Sequence, residues 1–250
     1  MTLAGAPLTG KRAFITGGGS GVGADLAHGF AEAGAEVVIC GRREAPLRAV
    51  AEATGARHVL ADVTSVPDLT RAFAEAGPCD IVIANAGAAD SAPFGKVTAE
   101  HWNAMIATNL TGVFLTFQAG LAQLPGWGRL IAIASTAGLK GYAYAAPYAA
   151  AKHGTVGLVR SLALEVARKP VTVNALCPGF LDTEMTDRSI ATITEKTGKT
   201  AEEARTALAA TNPQKRLIRP AEVTAAALWL CAPGSESING QAIAIAGGEL

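Results

Sequence analysis

The chain has 250 residues, 50% of them hydrophobic and 17% charged, with 21 basic and 21 acidic side chains in formal balance. That length suits one large α/β domain or two small ones, and the composition excludes a disordered chain. Charge balance leaves no basic footprint for nucleic acid, and no apolar run of about 18 residues predicts a membrane span.

No secretory pattern stands near residue 1, so the sequence predicts a cytoplasmic protein. Cys40, Cys79, Cys177 and Cys231 are scattered and lack Cys-x-x-Cys spacing. They read as small buried hydrophobes in a reducing compartment. The histidines are isolated, so no metal site is expected.

Residues 1–10 read as a loose lead-in. Lys11–Thr16 reads as a first strand, followed by Gly17-Gly18-Gly19-Ser20-Gly21-Val22-Gly23 and a helical pattern from Ala24 to Gly34. Strand, glycine loop and helix in that order suit a pyrophosphate. Glycines let the backbone approach the anion, and the helix N-terminus favours negative charge. Gly19-x-Gly21-x-x-Ala24 fits a dinucleotide fingerprint, and Thr16-Gly17-x3-Gly21-x-Gly23 is a looser register. A plain flexible turn is the alternative.

Glu36–Cys40 reads as the second strand, whose end should recognise the adenosine ribose. An acid there would bond the 2′-hydroxyl of NAD, but the chain continues Gly41-Arg42-Arg43. Gly41 leaves room, and Arg42 supplies charge-assisted donors for a 2′-phosphate. NADP(H) is therefore the preferred cofactor expected, with NAD(H) left open. Solvated surface arginines are the bland alternative.

Ala45–Ala53 reads as helix and His58–Ala61 as a third strand ending at Asp62-Val63. Asp62 could accept from an adenine amino group, or cap a helix starting near Ser65. Asp80–Ala84 is a fourth, apolar strand that stops at Asn85-Ala86-Gly87, where small residues let a cofactor lie on the backbone. Thr98–Leu124 reads as one long helix. Asn109 in its middle, in Asn-x-x-Gly, suggests a kink or a polar task inside the fold. Gly128–Ala134 is the fifth strand, and Ser135 stands at its end.

Ser135 to Lys152 carries the chemistry. The Ala-rich run after Pro147 favours helix, which puts Tyr148 and Lys152 on one face at i and i+4. A nearby cation favours the phenolate, making Tyr148 a candidate general acid/base. Ser135 could donate to a carbonyl oxygen as charge builds there. Tyr142 and Tyr144 lack a lysine four residues on. An ordinary surface pair is the competing reading of Tyr148 and Lys152.

Helix is expected over Pro147–Arg168, strand over Val171–Leu176, helix over Thr200–Ala210 and Pro220–Cys231, and a last short strand over Gln241–Ala246. Segment 183–212 reads as mixed and loop-rich. Strands alternating with helices predict a parallel sheet covered on both faces. Ligands in such sheets bind at the strand C-termini. Gly17–Gly23, Gly41-Arg42, Asp62, Asn85–Gly87, Ser135 and Pro178–Thr183 all fall there.

On these residues the chain resembles the classical short-chain dehydrogenases/reductases over essentially its full length. The matching elements are Thr16-Gly17-x3-Gly21-x-Gly23, Asp62, Asn85-Ala86-Gly87, Asn109, Ser135, Tyr148-x3-Lys152 and Pro178-Gly179-x3-Thr183. The resemblance implies a single Rossmann domain over 1–250, with a doubly wound seven-stranded parallel sheet. It implies that Ser135 stabilises the reacting oxygen and that Tyr148 transfers the proton. Lys152 would lower the Tyr148 pKa and bind the nicotinamide ribose, Asn109 would hold a relay water, and Thr183 would bind the carboxamide. The cofactor set would be Gly17, Ser20, Gly21, Val22, Gly23, Arg42, Asp62, Val63, Asn85, Ala86, Gly87, Tyr148, Lys152, Pro178, Gly179 and Thr183. Ser20 departs from the basic residue that many NADP-using members carry. A homotetramer packed through the long helices and C-terminus is also implied.

The phrases Cys-Pro-Gly-Phe-Leu-Asp-Thr-Glu-Met and Ala-Ala-Ala-Lys-His-Gly-Thr-Val-Gly-Leu resemble 3-hydroxybutyrate and 3-hydroxyacyl-CoA dehydrogenases and 3-ketoacyl reductases. The expected reaction is hydride transfer between NAD(P) and a secondary alcohol or ketone of the 3-oxo acyl type. Segment 183–212 would be the substrate lid, with Arg188, Lys196 and Lys199 either meeting a substrate anion or forming a solvated face. A carbonyl reductase of broad scope, a non-catalytic dinucleotide sensor and a sugar-nucleotide epimerase or dehydratase are the alternatives. The length leaves little room for the substrate domain of the last.

Overall fold

A computed structural model describes residues 8–250. Residues 1–7 of the expected lead-in lie outside that range. Leu8 is buried and its N–H donates to Ala33 O, so the lead-in is anchored at that residue, while Thr9 and Gly10 are exposed.

Seven strands form one sheet in the order β3-β2-β1-β4-β5-β6-β7, every pair parallel. They are β1 (Arg12–Thr16), β2 (Glu36–Gly41), β3 (Arg57–Leu60), β4 (Ile81–Ala84), β5 (Gly128–Ile133), β6 (Val171–Pro178) and β7 (Ala242–Ile245). β4, β5 and β6 are buried at every position, which is why their sequences are predominantly apolar rather than alternating; Arg129 in β5 and Thr172 and Asn174 in β6 are the buried polar exceptions.

Helices cover both faces. One apolar layer gathers Phe14, Phe73, Phe117, Leu130 and Val159. The other gathers Ile15, Leu26, Phe30, Ile39, Ile83 and Leu230. Consecutive β1 residues Phe14 and Ile15 point into opposite layers, as the period of two requires. This is the Rossmann-type doubly wound sheet that the alternating pattern predicted. Its strand order reverses direction between β1 and β4, where a crevice opens.

α1 (Gly21–Glu32) begins three residues before the expected Ala24. The last glycines of the loop are thus its first turn. α2 (Glu44–Thr54) and α3 (Val66–Ala76) follow β2 and β3, and Ser65 caps α3 by accepting from Asp68 N at 3.3 Å.

The long helix expected over Thr98–Leu124 is broken. α4 (Ala99–Ile106) and α5 (Gly112–Gln123) are joined by a π-type turn, Ala107–Thr111, with Asn109 in its centre. Asn109 itself competes for helix carbonyls: its Nδ2 donates to Met105 O at 3.0 Å and to Ala88 O at 2.9 Å. Ala99–Gln123 has the length and mean hydropathy, 1.3, of a membrane span. Val113, Phe117 and the hydroxyl of Thr116 are nonetheless buried in the protein core, and α5 packs on β4, α3 and α6.

α6 (Ala146–Val166) starts one residue before the expected Pro147, which stands in its first turn, and ends two residues before the expected Arg168. Segment 183–212 is more helical than predicted, with α7 (Glu184–Thr197) and α8 (Ala201–Ala209). α7 escapes a hydrophobicity reading because Thr186 and Ile190, one turn apart, are its buried residues. Gly198 ends it in the left-handed conformation (φ 72°), and a Thr200–Glu203 capping box starts α8. α9 (Pro220–Cys231) packs on α1.

Candidate active site

The glycine loop and the β4 exit are tied together by Thr16. Its Oγ1 accepts from the backbone N–H of Asn85 and of Ala86, both at 3.0 Å. Asn85 Nδ2 donates back to Thr16 O at 2.9 Å and Gly17 O at 3.3 Å. Glycine is required by close approach. A Cβ on Gly23 would stand 2.1 Å from Gly17 O, and one on Gly17 (φ 67°) 2.9 Å from Ala86 Cα. The first turn of α1 therefore presses against the loop and presents the N–H groups of Gly21, Val22 and Gly23 at its start. The Val22 side chain is in the core. Thr183, from the β6 exit, lies over Gly21: its Cγ2 would be 3.4 Å from a Cβ there. Thr183 is the N-cap of α7, yet its hydroxyl makes no cap bond. A cradle with glycine below and a free hydroxyl above fits a dinucleotide pyrophosphate and its nicotinamide end.

At the β2 exit, Arg42 is mostly exposed and stands 3.8 Å from Asp62. Asp62 accepts from Thr64 N at 2.9 Å and Thr64 Oγ1 at 2.8 Å. Those two bonds, from the amide first, hold its carboxyl below the usual range. Ser65, not Asp62, caps α3. Val63 turns its side chain into the core against Gly112, leaving only its backbone toward the crevice.

The sequence reading missed Arg43. Its Nη2 donates to Ser20 Oγ at 3.2 Å. The basic group absent from position 20 of the chain is thus supplied there in space by Arg43. The Arg-Arg doublet was the available signal, but contact across the loop was not visible in it.

On the other side of the crevice, Ser135 extends from β5 and opens a short turn, Thr136–Gly138, with its Oγ accepting from Ala137 N at 3.1 Å. Gly138 lets that turn lie on α6, where a Cβ would be 2.7 Å from Lys152 O. Ser135 is thereby set facing the Tyr148 phenol, and its hydrogen bond pulls the phenol pKa downward. Burial is the larger effect, so the Tyr148 pKa is raised above its ordinary value.

Lys152 is 3% exposed, and its Nζ donates to Ile133 O at 2.9 Å. Burial lowers its pKa to about 8. The ammonium stands 5.6 Å from the Tyr148 ring centre. The expected i, i+4 neighbours are together. The expected downward push of Lys152 on Tyr148 is not seen, however: burial raises the phenol pKa, and Ser135 alone opposes it.

Asn109 is fully buried, its Oδ1 accepting from Ala88 N at 3.2 Å. Its backbone carbonyl accepts from Thr155 Oγ1 of α6 at 2.9 Å. A Cβ on Gly87 would lie 3.0 Å from Asn109 Oδ1 and 3.8 Å from Lys152 Nζ. The Asn85–Gly87 turn, Asn109 and Lys152 therefore meet at one point. Pro178 ends β6, and Gly179 N donates to Ile245 O at 3.0 Å. Arg188, Lys196 and Lys199 lie exposed along α7 and its end.

A family model described as short chain dehydrogenase matches residues 11–194. The chain belongs to the short-chain dehydrogenase family. This family member is 36% identical over 249 residues to a Streptomyces coelicolor protein provisionally named a ketoacyl reductase, covering 94% of this chain and 95% of that one. It is 33% identical over 245 residues to D-beta-hydroxybutyrate dehydrogenase of Cupriavidus necator, covering 93% and 95%. Among solved structures, a variant of actinorhodin polyketide ketoreductase with NADPH superposes with a TM-score of 0.90 at 34% identity, over 96% of this chain and 97% of that one. This short-chain dehydrogenase is therefore an NAD(P)-dependent oxidoreductase acting on a small molecule.

Proposed function

We propose that this enzyme is a ketoreductase that uses NADPH to reduce a ketone of the 3-oxo acyl type, or oxidises the corresponding alcohol in reverse. The observation that carries the reading is the convergence of Ser135, Tyr148, Lys152 and Asn109 at the strand edge occupied by the glycine cradle. The cofactor, when bound, supplies the hydride. Ser135 Oγ donates to the ketone oxygen, and Tyr148 Oη delivers the proton as negative charge grows on that oxygen. Lys152 Nζ, anchored on Ile133 O, holds a cation beside the phenol and the nicotinamide ribose. Asn109 fixes the Ala88 backbone so that Gly87 can approach the cofactor.

Preference for NADPH is supported by two guanidinium groups, Arg42 and Arg43, at the β2 exit, and by Ser20 within reach of the second. Gly41 brings no carboxylate to repel a 2′-phosphate. The 3-oxo acyl class is supported by the names of the relatives. α7 and α8 form the substrate lid of one Rossmann domain spanning the chain. Exposed Phe114 on α5 and Leu164 on α6 support assembly of copies through these helices.

Tyr148→Phe is the direct test. It should leave NADPH affinity within about twofold and lower kcat for ethyl acetoacetate by about 10²–10⁴. Retention of turnover within about tenfold of wild type refutes the assignment of Tyr148.

A further inference from the structure

One acid, Glu249, joins three segments beside the Ser135–Tyr148 pair. Its side chain is only 3% exposed. Its Oε1 accepts from Tyr142 Oη, and from Lys140 Nζ at 2.9 Å. Tyr142 Oη also lies 2.7 Å from Thr136 Oγ1, the residue next to Ser135. The Tyr142 ring stands edge-on to Phe180, centres 6.0 Å apart at 89°. Phe180 follows Gly179, where a Cβ would lie 3.2 Å from Glu249 Oε2. That oxygen is buried and has no hydrogen-bond partner among the described residues.

Thr136, bonded to Tyr142 and adjacent to Ser135, ties this cluster to the Ser135 side of the site. The Tyr142 phenol is pushed up by burial first, then by its bond to Glu249, and Tyr148 also acts on it. Lys140 is the more exposed partner: its side chain is 36% exposed, and its ammonium lies 5.1 Å from the Tyr142 ring centre. The wall formed by Lys140, Tyr142 and Phe180 therefore holds one formal cation and one formal anion. A free 3-oxo acid entering the cleft meets a lysine whose charge is already answered by a fixed buried carboxylate. An ester or thioester brings no charge to be answered.

We propose that Glu249 is a specificity-determining residue: by neutralising Lys140 it biases the cleft toward uncharged ketones, esters and thioesters, over free 3-oxo acid anions. The inference rests on the ketoreductase reading of Ser135 and Tyr148. Removal of the acid should uncover Lys140 and recruit the anion. Removal of the lysine should leave Glu249 unanswered and repel it further.

The test compares kcat/KM for acetoacetate and for ethyl acetoacetate, with NADPH, in wild type, Glu249→Gln and Lys140→Met. Glutamine keeps an amide oxygen to accept from Tyr142 while removing the charge. One uncovered charge a few ångströms from a bound carboxylate should raise the acetoacetate-to-ester ratio about five- to tenfold at low salt, with the gain shrinking at high salt. Lys140→Met, on a partly exposed stem, should lower the ratio. A ratio that moves less than about twofold in both variants overturns the proposal, as does an equal fall for both substrates. Wild-type enzyme that reduces neither compound fails the ketoreductase reading itself, which separates the two failures.

Discussion

Lys152→Met should make the cofactor-free protein more stable at pH 7 while removing its activity. Burial lowers the Lys152 pKa from the ordinary 10.5 to about 8. At about 1.4 kcal/mol per unit, holding that ammonium inside the apoprotein at neutral pH costs about 3 kcal/mol. Methionine fills the same unbranched volume without charge, but leaves Ile133 O without its ammonium donor, a loss of about 1–2 kcal/mol. The net gain is about 1–2 kcal/mol, a rise in Tm of about 2–6 °C for a chain of this size. Between pH 8 and 10.5 the unfolded chain binds the lysine proton and the folded chain does not. Wild type therefore gains stability relative to the variant across that window, and should overtake it at about pH 9–10, where the remaining cost falls below the loss of about 1–2 kcal/mol from the missing hydrogen bond. The buried cysteines also have raised pKa values, which destabilise the folded chain as pH rises; Cys40, Cys79 and Cys231 do so equally in both proteins and cancel in the difference, whereas Cys177, whose pKa Lys152 pulls downward, cancels only in part. Calorimetry of both proteins without cofactor, from pH 7 to 10.5, measures this. A variant less stable at pH 7, or a difference independent of pH, refutes the claim that Lys152 is held at an electrostatic cost.

Gly23→Ala should lower Tm by several degrees and raise the NADPH Kd at least about tenfold, since the new Cβ meets backbone at Gly17 O and the loop must shift; equilibrium binding by cofactor fluorescence reads it. Arg42→Ala and Arg43→Ala should each raise KM for NADPH about tenfold and leave KM for NADH within about twofold, each guanidinium contributing about 1.5 kcal/mol to a 2′-phosphate. Equal effects on both cofactors would place the arginines outside that pocket. Because the Tyr148 pKa is raised, ketone reduction should stay level from pH 6 to 8, whereas alcohol oxidation should climb steadily on the alkaline side; parallel pH profiles in the two directions would contradict this.

The sheet was legible because each buried strand is a short, mostly apolar run, and the ligand edge because these runs stop at glycine, asparagine, serine, proline or, after β3, aspartate. Local spacing also placed Tyr148 beside Lys152. Contacts across the chain were not legible in this way. Arg43 reaches Ser20 over a separation of 23 residues, and Tyr142 reaches Glu249 over 107. No periodicity links such positions, so the second guanidinium and the buried acid were absent from the expected site. The π-type turn lay between these cases. Asn109 signalled a break in the long helix, but which carbonyls it would capture depended on Ala88 arriving from the β4 exit. α7 was missed for a different reason. Its buried stripe is too narrow for hydrophobic patterning, and its order comes from the Gly198 C-cap and from Arg205 pairing with Asp182 and Asp187.

The electrostatics of the site bear on direction. A general acid for ketone reduction must hold its proton until the alkoxide forms, and a general base for alcohol oxidation must be without one. Burial gives the Tyr148 phenol a stronger hold on its proton than free tyrosine has, and Ser135 only partly reverses this. Lys152 is buried as well, so the apoprotein carries a group whose charged form is costly beside a group whose neutral form is favoured. Both effects come from one structural fact: the first turns of α6 are pressed under the Ser135 turn at Gly138, away from water. The same packing that aligns the hydroxyl with the phenol therefore sets the phenol as an acid near neutrality. On this reasoning ketone reduction should hold its rate at neutral pH, and alcohol oxidation should gain rate as the solution becomes alkaline.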